Sequence, residues 1–192
     1  MDFLLFTVSW MSFNVFLALI PVGTAIVIVK TKRVWTKLLL GIIWLIFLPN
    51  TIYLLTDLFH LFDDWRKTPL IISTLTIPLY ILLIILGILT FVFSMYPIDY
   101  ILRKKKNKKI RIGIILAVNF LVGIGLTMGR VERINSWEAL TNSAKTLHSV
   151  LIIFLSSELL AVTVLFALTS NLLYFVLARN PFFSTTFRKL IK

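Results

Sequence analysis

Five long stretches that together contain a single charged residue constrain this chain more than any other feature of its sequence. They cover residues 3–29, 38–56, 68–98, 112–129 and 148–178. Glu158 is the one exception within them. About 20 apolar residues in a helix cross a bilayer core, and a helix satisfies its own backbone hydrogen bonds in hydrocarbon. Since 59% of the residues are hydrophobic, we predict an all-α integral membrane protein, a bundle of about five transmembrane helices.

The boundaries of these helices follow from the flanking charges and prolines. We predict spans at approximately 3–29, 38–58, 69–100, 111–129 and 148–178. The third is long, but Pro78 can kink it, and the charges of its flanking loops require an odd number of crossings. The first segment begins with Asp2 and lacks a small-residue cleavage pattern, so we interpret it as a retained helix. With no internal repeat or long linker, residues 1–192 are expected to form one domain.

The net charge of +12 is concentrated in three places. Basic residues follow the first, third and fifth predicted helices, at 30–37, 103–111 and 179–192. Cytoplasmic loops are enriched in Lys and Arg, which puts the N-terminus outside and the C-terminus inside. Orientation explains the charge, so we expect no nucleic-acid partner. The basic run can also hold anionic lipid headgroups.

Polar residues of the second predicted helix recur at spacings of three and four. They are Asn50, Tyr53, Asp57, His60 and Asp64. This spacing stacks them on one face of a helix. Pro49 breaks the backbone hydrogen bonding beside Asn50, so a kink and a small polar pocket are expected there. Alternatively, Asn50 only satisfies a backbone group that Pro49 leaves without a hydrogen bond.

The fourth predicted helix ends in a second polar cluster at the same depth. From the rise per residue, both clusters reach the outer leaflet. Arg130 and Arg133 are three residues apart and can share a helix face, where they either pair with Asp57 and Asp64 or bind a phosphate. We therefore predict one polar site on the outer face. Its residues are Asn50, Tyr53, Asp57, His60, Asp64, Arg130, Arg133, Asn135 and Trp137.

A short amphipathic helix is predicted after this cluster. Asn135 stands three residues before Glu138, the spacing of a helix N-cap and its N3 partner. Apolar residues then recur at three and four positions: Trp137, Leu140, Ala144, Leu147 and Leu151. We expect this helix to lie at the outer interface, where Trp137 anchors it at headgroup level.

Two motifs together carry a resemblance to a known family. One extends from Trp44 to His60 and contains Pro49-Asn50, Tyr53 and Thr56-Asp57; the other extends from Gly129-Arg130 to Asn135-Ser136-Trp137. In order and spacing they resemble the bacterial membrane proteins grouped as domain of unknown function 1361. The resemblance covers most of the chain from the second helix onward and implies a multi-pass protein of the bacterial cell (inner) membrane. It carries over no catalytic residue. Thr51-Ile52 and Glu138 depart mildly from the family pattern.

Three functions fit these residues. The favoured one is a cell-envelope binding or assembly component, whose partners are the lipid bilayer and an anionic lipid or lipid-linked ligand; the sequence names no protein partner. The second is an enzyme acting on a lipid-linked or phosphate-bearing substrate, with Asp57 or His60 as general base. The third is an ion or small-solute carrier that uses Glu158 as an intramembrane carboxyl midway along the fifth helix, at a level that Asn119 can also reach. Alternatively, a protonated Glu158 hydrogen bonded to Asn119 or Ser156 only links two helices.

The sequence also bears on metals and cofactors. The chain contains no cysteine, which excludes disulfides, thiolate metal sites and cysteine nucleophiles. Asp57, His60 and Asp64 could make a three-ligand site for a hard metal ion, but this spacing arises easily by chance. We therefore expect no metal and no cofactor.

Overall fold

The computed structural model describes residues 2–58, 61, 70–178 and 180–191, and all regular secondary structure in these ranges is α-helical. The helices are α1 (Asp2–Lys30), α2 (Val34–Phe47), α3 (Pro49–Thr56), α4 (Leu70–Lys105), α5 (Lys108–Arg130), α6 (Glu138–Thr141), α7 (Ser143–Leu155), α8 (Ser157–Leu177) and α9 (Pro181–Ile191). Within the described ranges, five stretches are long and apolar enough to cross a membrane: Phe6–Lys30, Val34–Thr56, Thr74–Lys104, Lys108–Arg130 and Ser157–Leu177. The predicted all-α architecture with five membrane-spanning helices is confirmed.

The helix α4 confirms that the long third stretch is one helix. It continues without a break through Pro78 and Pro97. By contrast, the second stretch is interrupted at Pro49, because α2 ends at Phe47 and α3 starts at Pro49. Proline suits the first position of a helix, where its missing N–H would have no partner anyway. The backbone defect that Pro49 predicts is present.

The fifth stretch differs from its prediction. A single helix over 148–178 is wrong, since α7 and α8 meet at Ser156, whose backbone is extended. Its hydroxyl oxygen accepts a hydrogen bond from the backbone N–H of Leu159 at 3.3 Å. Serine favours a helix N-cap because its side chain satisfies one of the donors that the first turn leaves unpaired. A local side-chain contact therefore ends one helix and starts the next.

The amphipathic segment is also divided. A short helix follows Asn135 as predicted, but it starts at Glu138 and covers four residues. The prediction of one continuous helix through Leu151 is wrong, because the side chain of Asn142 caps a new helix by accepting from the N–H of Lys145 at 3.1 Å. Leu147 and Leu151, on the predicted apolar face, are largely exposed.

Small and hydroxyl-bearing residues join α5 to α8. The Thr127 and Thr163 hydroxyls are hydrogen bonded at 2.8 Å, and Asn119 donates to Asn171 at 2.8 Å. Gly123 faces the backbone of α8 near Thr163. Without a hydrophobic force between helices in lipid, close packing through small residues and hydrogen bonds across helices stabilise such contacts. This pair forms one side of the bundle.

The bundle has two distinct ends. At one end lie the C-terminus of α1, the turn from α4 to α5 and the C-terminus of α8; we call it the basic end, because it carries Lys30 and the run from Arg103 to Arg111. The opposite end holds the C-terminus of α3, the C-terminus of α5 and the residues around Asn14 of α1. We call it the pocket end, for the cavity described next.

Candidate functional site

A cavity of about 230 Å³ lies at the pocket end, between α1, α3, α5 and the loop before α6. Its lining residues are Trp10, Phe13, Asn14, Leu17, Pro49, Asn50, Tyr53, Gly125, Gly129, Ile134, Asn135, Ser136 and Trp137. We call this cavity the polar pocket. Its lining combines amides, a hydroxyl and aromatic rings, and it includes no charged side chain among the residues that the structure describes. The pocket predicted beside Asn50 is therefore present.

Asn50 holds the floor of the polar pocket in place. Its side-chain amide donates to the carbonyl of Phe47 at 3.0 Å and to the hydroxyl of Ser136 at 2.8 Å. The first bond satisfies a carbonyl at the helix break, and the second ties α3 to the loop before α6. Asn50 thus satisfies a backbone carbonyl at the break and also lines the pocket, so the alternative that it serves the backbone alone is wrong.

A buried ion pair lies next to the polar pocket. Asp57 is fully buried, and one of its carboxylate oxygens pairs with the Arg130 guanidinium. The other oxygen accepts from the side-chain amide of Asn14 at 3.1 Å. Arg130 Nε also donates to the hydroxyl of Thr56 at 2.8 Å. Of the two roles predicted for Arg130, the structure shows the pairing with Asp57.

Tyr53 contacts this ion pair and also lines the polar pocket. The Arg130 guanidinium carbon lies 4.1 Å from the centre of the Tyr53 ring, within range of a cation–π interaction. Asp57, Thr56 and Tyr53 therefore all contact the same guanidinium. The charge of the Arg130 guanidinium is therefore compensated inside the protein. This geometry does not support the predicted alternative in which Arg130 binds a phosphate.

Arg133 does not join this arrangement. The helix α5 ends at Arg130, so the prediction that Arg130 and Arg133 share a helix face is wrong. Arg133 adopts a left-handed backbone conformation with φ of 53°, which is unfavourable for a residue with a Cβ. This turn allows the N–H of Ile134 to reach the carbonyl of Met128 at 3.1 Å. The Arg133 side chain is exposed and makes no ion pair with any described residue.

The loop before α6 forms the rim of the polar pocket. Trp137 packs edge-on against Phe13, with 5.9 Å between ring centroids. The Glu138 carboxylate accepts from the Asn135 backbone N–H at 3.0 Å and pairs with Lys145 at 2.6 Å. These two contacts hold the pKa of Glu138 below its usual value. The predicted Asn135–Glu138 contact is present and braces the rim.

Several pocket residues are absent from the sequence prediction. Asn14, Trp10 and Phe13 belong to α1, which looks like an uninterrupted apolar span, and Ser136 lies between two predicted site residues. Asn14 carries one usable signal, because an amide within a transmembrane helix needs a hydrogen-bonding partner. The sequence alone does not indicate that Asp57 is that partner.

Other predicted residues fall elsewhere. His60 and Asp64 lie outside the described residues. Glu158 is exposed in the first turn of α8, where the positive end of the helix dipole favours a carboxylate. The prediction that it lies midway along a helix beside Asn119 is wrong, because a helix starts at Ser157 and Asn119 pairs with Asn171.

Comparison with known proteins gives one match. A family model described as Protein of unknown function (DUF1361) matches residues 13–173. The chain belongs to this family. The matched region of this DUF1361 protein starts within α1, earlier than the second helix where the sequence resemblance begins, and so includes Asn14. With five apolar helices, it is a multi-pass membrane protein. Searches of curated proteins and of solved structures found no match.

Proposed function

We propose that this DUF1361 protein is a binding or assembly component of the bacterial cell envelope, which holds an amphiphile with an uncharged, hydrogen-bonding headgroup. The amphiphile is a lipid or a lipid-linked molecule. In this proposal, residues 1–192 form one domain of the bacterial inner membrane, with the N-terminus outside. The positive-inside rule supports that orientation, because the basic end then faces the cytoplasm and the polar pocket faces outward.

The lining of the polar pocket supports an uncharged headgroup. Asn14, Asn50 and Asn135 place side-chain amides in the lining, and Ser136 places a hydroxyl there. Both N–H groups of the Asn50 amide are already donated to Phe47 and Ser136, so Asn50 can offer a ligand its carbonyl oxygen as an acceptor. Aromatic rings provide flat apolar walls. Arg130 is already paired with Asp57, and no charged side chain is among the described residues that line the pocket. Hydroxyl and amide groups of a ligand match such a surface.

A second cavity adjoining the polar pocket carries the proposal. It encloses about 180 Å³ and shares Pro49, Gly125, Ile134, Asn135 and Ser136 with the polar pocket. Its remaining lining is almost entirely apolar: Leu45, Ile46, Leu121, Ile124, Met128, Ala139 and Thr146. We call it the apolar groove. A polar cavity that continues into an apolar one matches a headgroup with its hydrocarbon tail.

The other two functions have less support among the described residues. An enzyme needs a general base within hydrogen-bonding reach of the substrate, and Asp57 is engaged by Arg130 and Asn14 outside the lining of the polar pocket. The carrier hypothesis placed Glu158 midway along a membrane-spanning helix, whereas Glu158 lies in the first turn of α8. Binding is therefore the function that the geometry favours.

Native mass spectrometry of the gently solubilised protein tests this proposal. We expect the wild type to carry one co-purified amphiphile per chain, and Asn50→Ala to retain it roughly tenfold more weakly, because two hydrogen bonds at the pocket floor are lost. Ser136→Ala is expected to weaken it less. Thr169→Val is the control, since the Thr169 hydroxyl donates to the Leu165 carbonyl of its own helix at 2.9 Å and Thr169 does not line the polar pocket.

The mass of the retained molecule decides the headgroup. A neutral glycolipid or hydroxylated lipid would support the proposal. An empty wild-type protein, or equal retention by Asn50→Ala, Ser136→Ala and Thr169→Val, would contradict it. The variants should first be compared by thermal unfolding, so that loss of the fold is not mistaken for loss of binding.

A further inference from the structure

Three asparagine side chains are among the described residues that line the polar pocket. They are Asn14 of α1, Asn50 of α3 and Asn135 of the loop before α6. A side-chain amide carries two N–H donors on its nitrogen and an acceptor oxygen beside it. The orientation of an amide is fixed when its neighbour can act only as an acceptor or only as a donor. Each of these three asparagines has such a neighbour.

Groups that only accept hydrogen bonds hold all three amide nitrogens. Asn14 Nδ2 donates to the Asp57 carboxylate at 3.1 Å. Asn135 Nδ2 donates to the Glu138 carboxylate at 3.2 Å. Asn50 Nδ2 donates to a backbone carbonyl at the helix break at 3.0 Å. Turning any of these amides over would place its oxygen against another oxygen, so the Oδ1 atoms are the ends left without a fixed partner.

The acceptor oxygens of these amides are accessible. Asn14 and Asn50 are half-buried, and neither Oδ1 atom accepts a hydrogen bond from a residue that the structure describes. Neither oxygen is one of the fully buried, unpaired polar atoms of the described chain, so both keep some accessible surface. Asn135 is exposed at the rim. Because all three residues line the polar pocket, we place their oxygens at its surface.

The donors of these residues are partly used already. Both N–H groups of Asn50 are donated, one of them to the Ser136 hydroxyl at 2.8 Å. Asn14 and Asn135 each give one N–H to a carboxylate. The Ser136 hydroxyl accepts from Asn50, which leaves its own O–H to donate. A ligand that only accepts would therefore meet some donors but would leave the three amide oxygens unpaired.

We propose that the headgroup held in the polar pocket is a polyol, such as a sugar, whose hydroxyls donate to Oδ1 of Asn14, Asn50 and Asn135. This inference rests on the proposed binding function and specifies its ligand. A hydroxyl group both donates and accepts, so the same headgroup also accepts from the Ser136 O–H. Choline and ester headgroups carry no donor. They would displace water from the amide oxygens without replacing its hydrogen bonds.

A pair of lipids that differ only in their donors tests this proposal. The full-length protein is reconstituted in phosphatidylcholine nanodiscs that contain either a monoglucosyl diacylglycerol or an analogue in which fluorine replaces the sugar hydroxyls. Fluorine keeps nearly the same size but cannot donate. Native mass spectrometry counts the lipid bound per chain. We expect the glucosyl lipid to bind roughly tenfold more tightly or better, because the analogue supplies no donor to the amide oxygens.

A soluble sugar distinguishes the two sources of a polyol. Methyl glucoside carries the same hydroxyls without a tail, and it is added as a competitor of the glucosyl lipid. Weak competition is expected, since the apolar groove contributes to binding of the lipid. Competition as strong as that of the lipid itself would uphold the polyol and assign the site to a free sugar.

Matched variants identify the residues that recognise the donors. Asn50→Ala and Asn135→Ala are each expected to lower the ratio of glucosyl to fluorinated lipid affinity several-fold, because each removes one acceptor oxygen. Loss of folded protein lowers both affinities alike and leaves this ratio unchanged. Asn107→Ala is the control. It removes the same amide, but Asn107 caps α5 at the basic end by accepting from the Ile110 N–H at 2.9 Å.

The outcomes separate this proposal from the binding function on which it rests. Equal affinity of the wild type for the glucosyl and fluorinated lipids would overturn the polyol headgroup and leave the binding function standing. A ratio lowered as much by Asn107→Ala as by Asn50→Ala and Asn135→Ala would also overturn it. A protein that retains neither lipid and does not bind methyl glucoside would contradict both proposals.

Discussion

Arg130→Met is expected to destabilise the protein by about 3–5 kcal/mol, because it leaves the buried Asp57 carboxylate without its counter-charge. Asp57 is fully buried, and the Arg130 side chain is 15% exposed. The remaining partner of that carboxylate, the Asn14 amide, is neutral. Denaturant unfolding in mixed micelles would measure the loss as a shift of the midpoint.

The double variant Asp57→Asn/Arg130→Met tests the mechanism behind this loss. Removing both charges abolishes the unpaired ion, so the double variant is expected to recover much of the stability that Arg130→Met loses. Lys145→Met is the matched control, because it breaks the exposed pair with Glu138, and exposed pairs contribute little. If the double variant were as unstable as Arg130→Met, the charge pairing would not be the cause.

Gly123→Ala is expected to cost about 1–3 kcal/mol, the usual range for overpacking. A Cβ at this position would lie 2.5 Å from the Thr163 carbonyl oxygen and 3.1 Å from the backbone nitrogen of Ala167. Both atoms belong to the backbone of α8, so they cannot move aside as a side chain can. The two helices would have to separate, weakening the hydrogen bond between Thr127 and Thr163.

Gly113→Ala is the control for this effect. Gly113 lies on the same helix, and a Cβ there would meet nothing within 4 Å. Its thermal unfolding temperature should stay near that of the wild type or rise slightly, since alanine favours the helix more than glycine does. Equal losses in the two variants would show that glycine acts through backbone flexibility rather than through the close approach of α5 and α8.

Local signals account for those predicted residues that the structure brings together around the polar pocket. Asn50 and Tyr53 line the polar pocket and Asp57 lies beside it because the spacing of three and four residues holds across the short helix α3. The break at Pro49 follows from its missing N–H. Arg133 was misplaced because spacing is informative only while a helix continues, and α5 stops at Arg130.

Contacts between distant segments could not be predicted in the same way. Asn14 meets Asp57 across 43 positions, and Asn50 meets Ser136 across 86. Asp99 of α4 pairs with Arg111 of α5 at 3.7 Å. In the sequence, Asp99 stands only at the edge of a basic run, so this pairing has no local signal. A helical period tells which side chains share a face, but not which other helix that face meets.

The sequence by itself determined that this is an all-helical membrane protein with five spanning stretches, because lipid admits only segments that are long, apolar and internally hydrogen bonded. Only the tertiary structure decided that Arg130 is neutralised by Asp57 and that the polar pocket carries no charged lining among its described residues. The physical reason is that charge compensation and hydrogen-bond satisfaction depend on distances of a few ångströms between helices, which chain order does not encode locally.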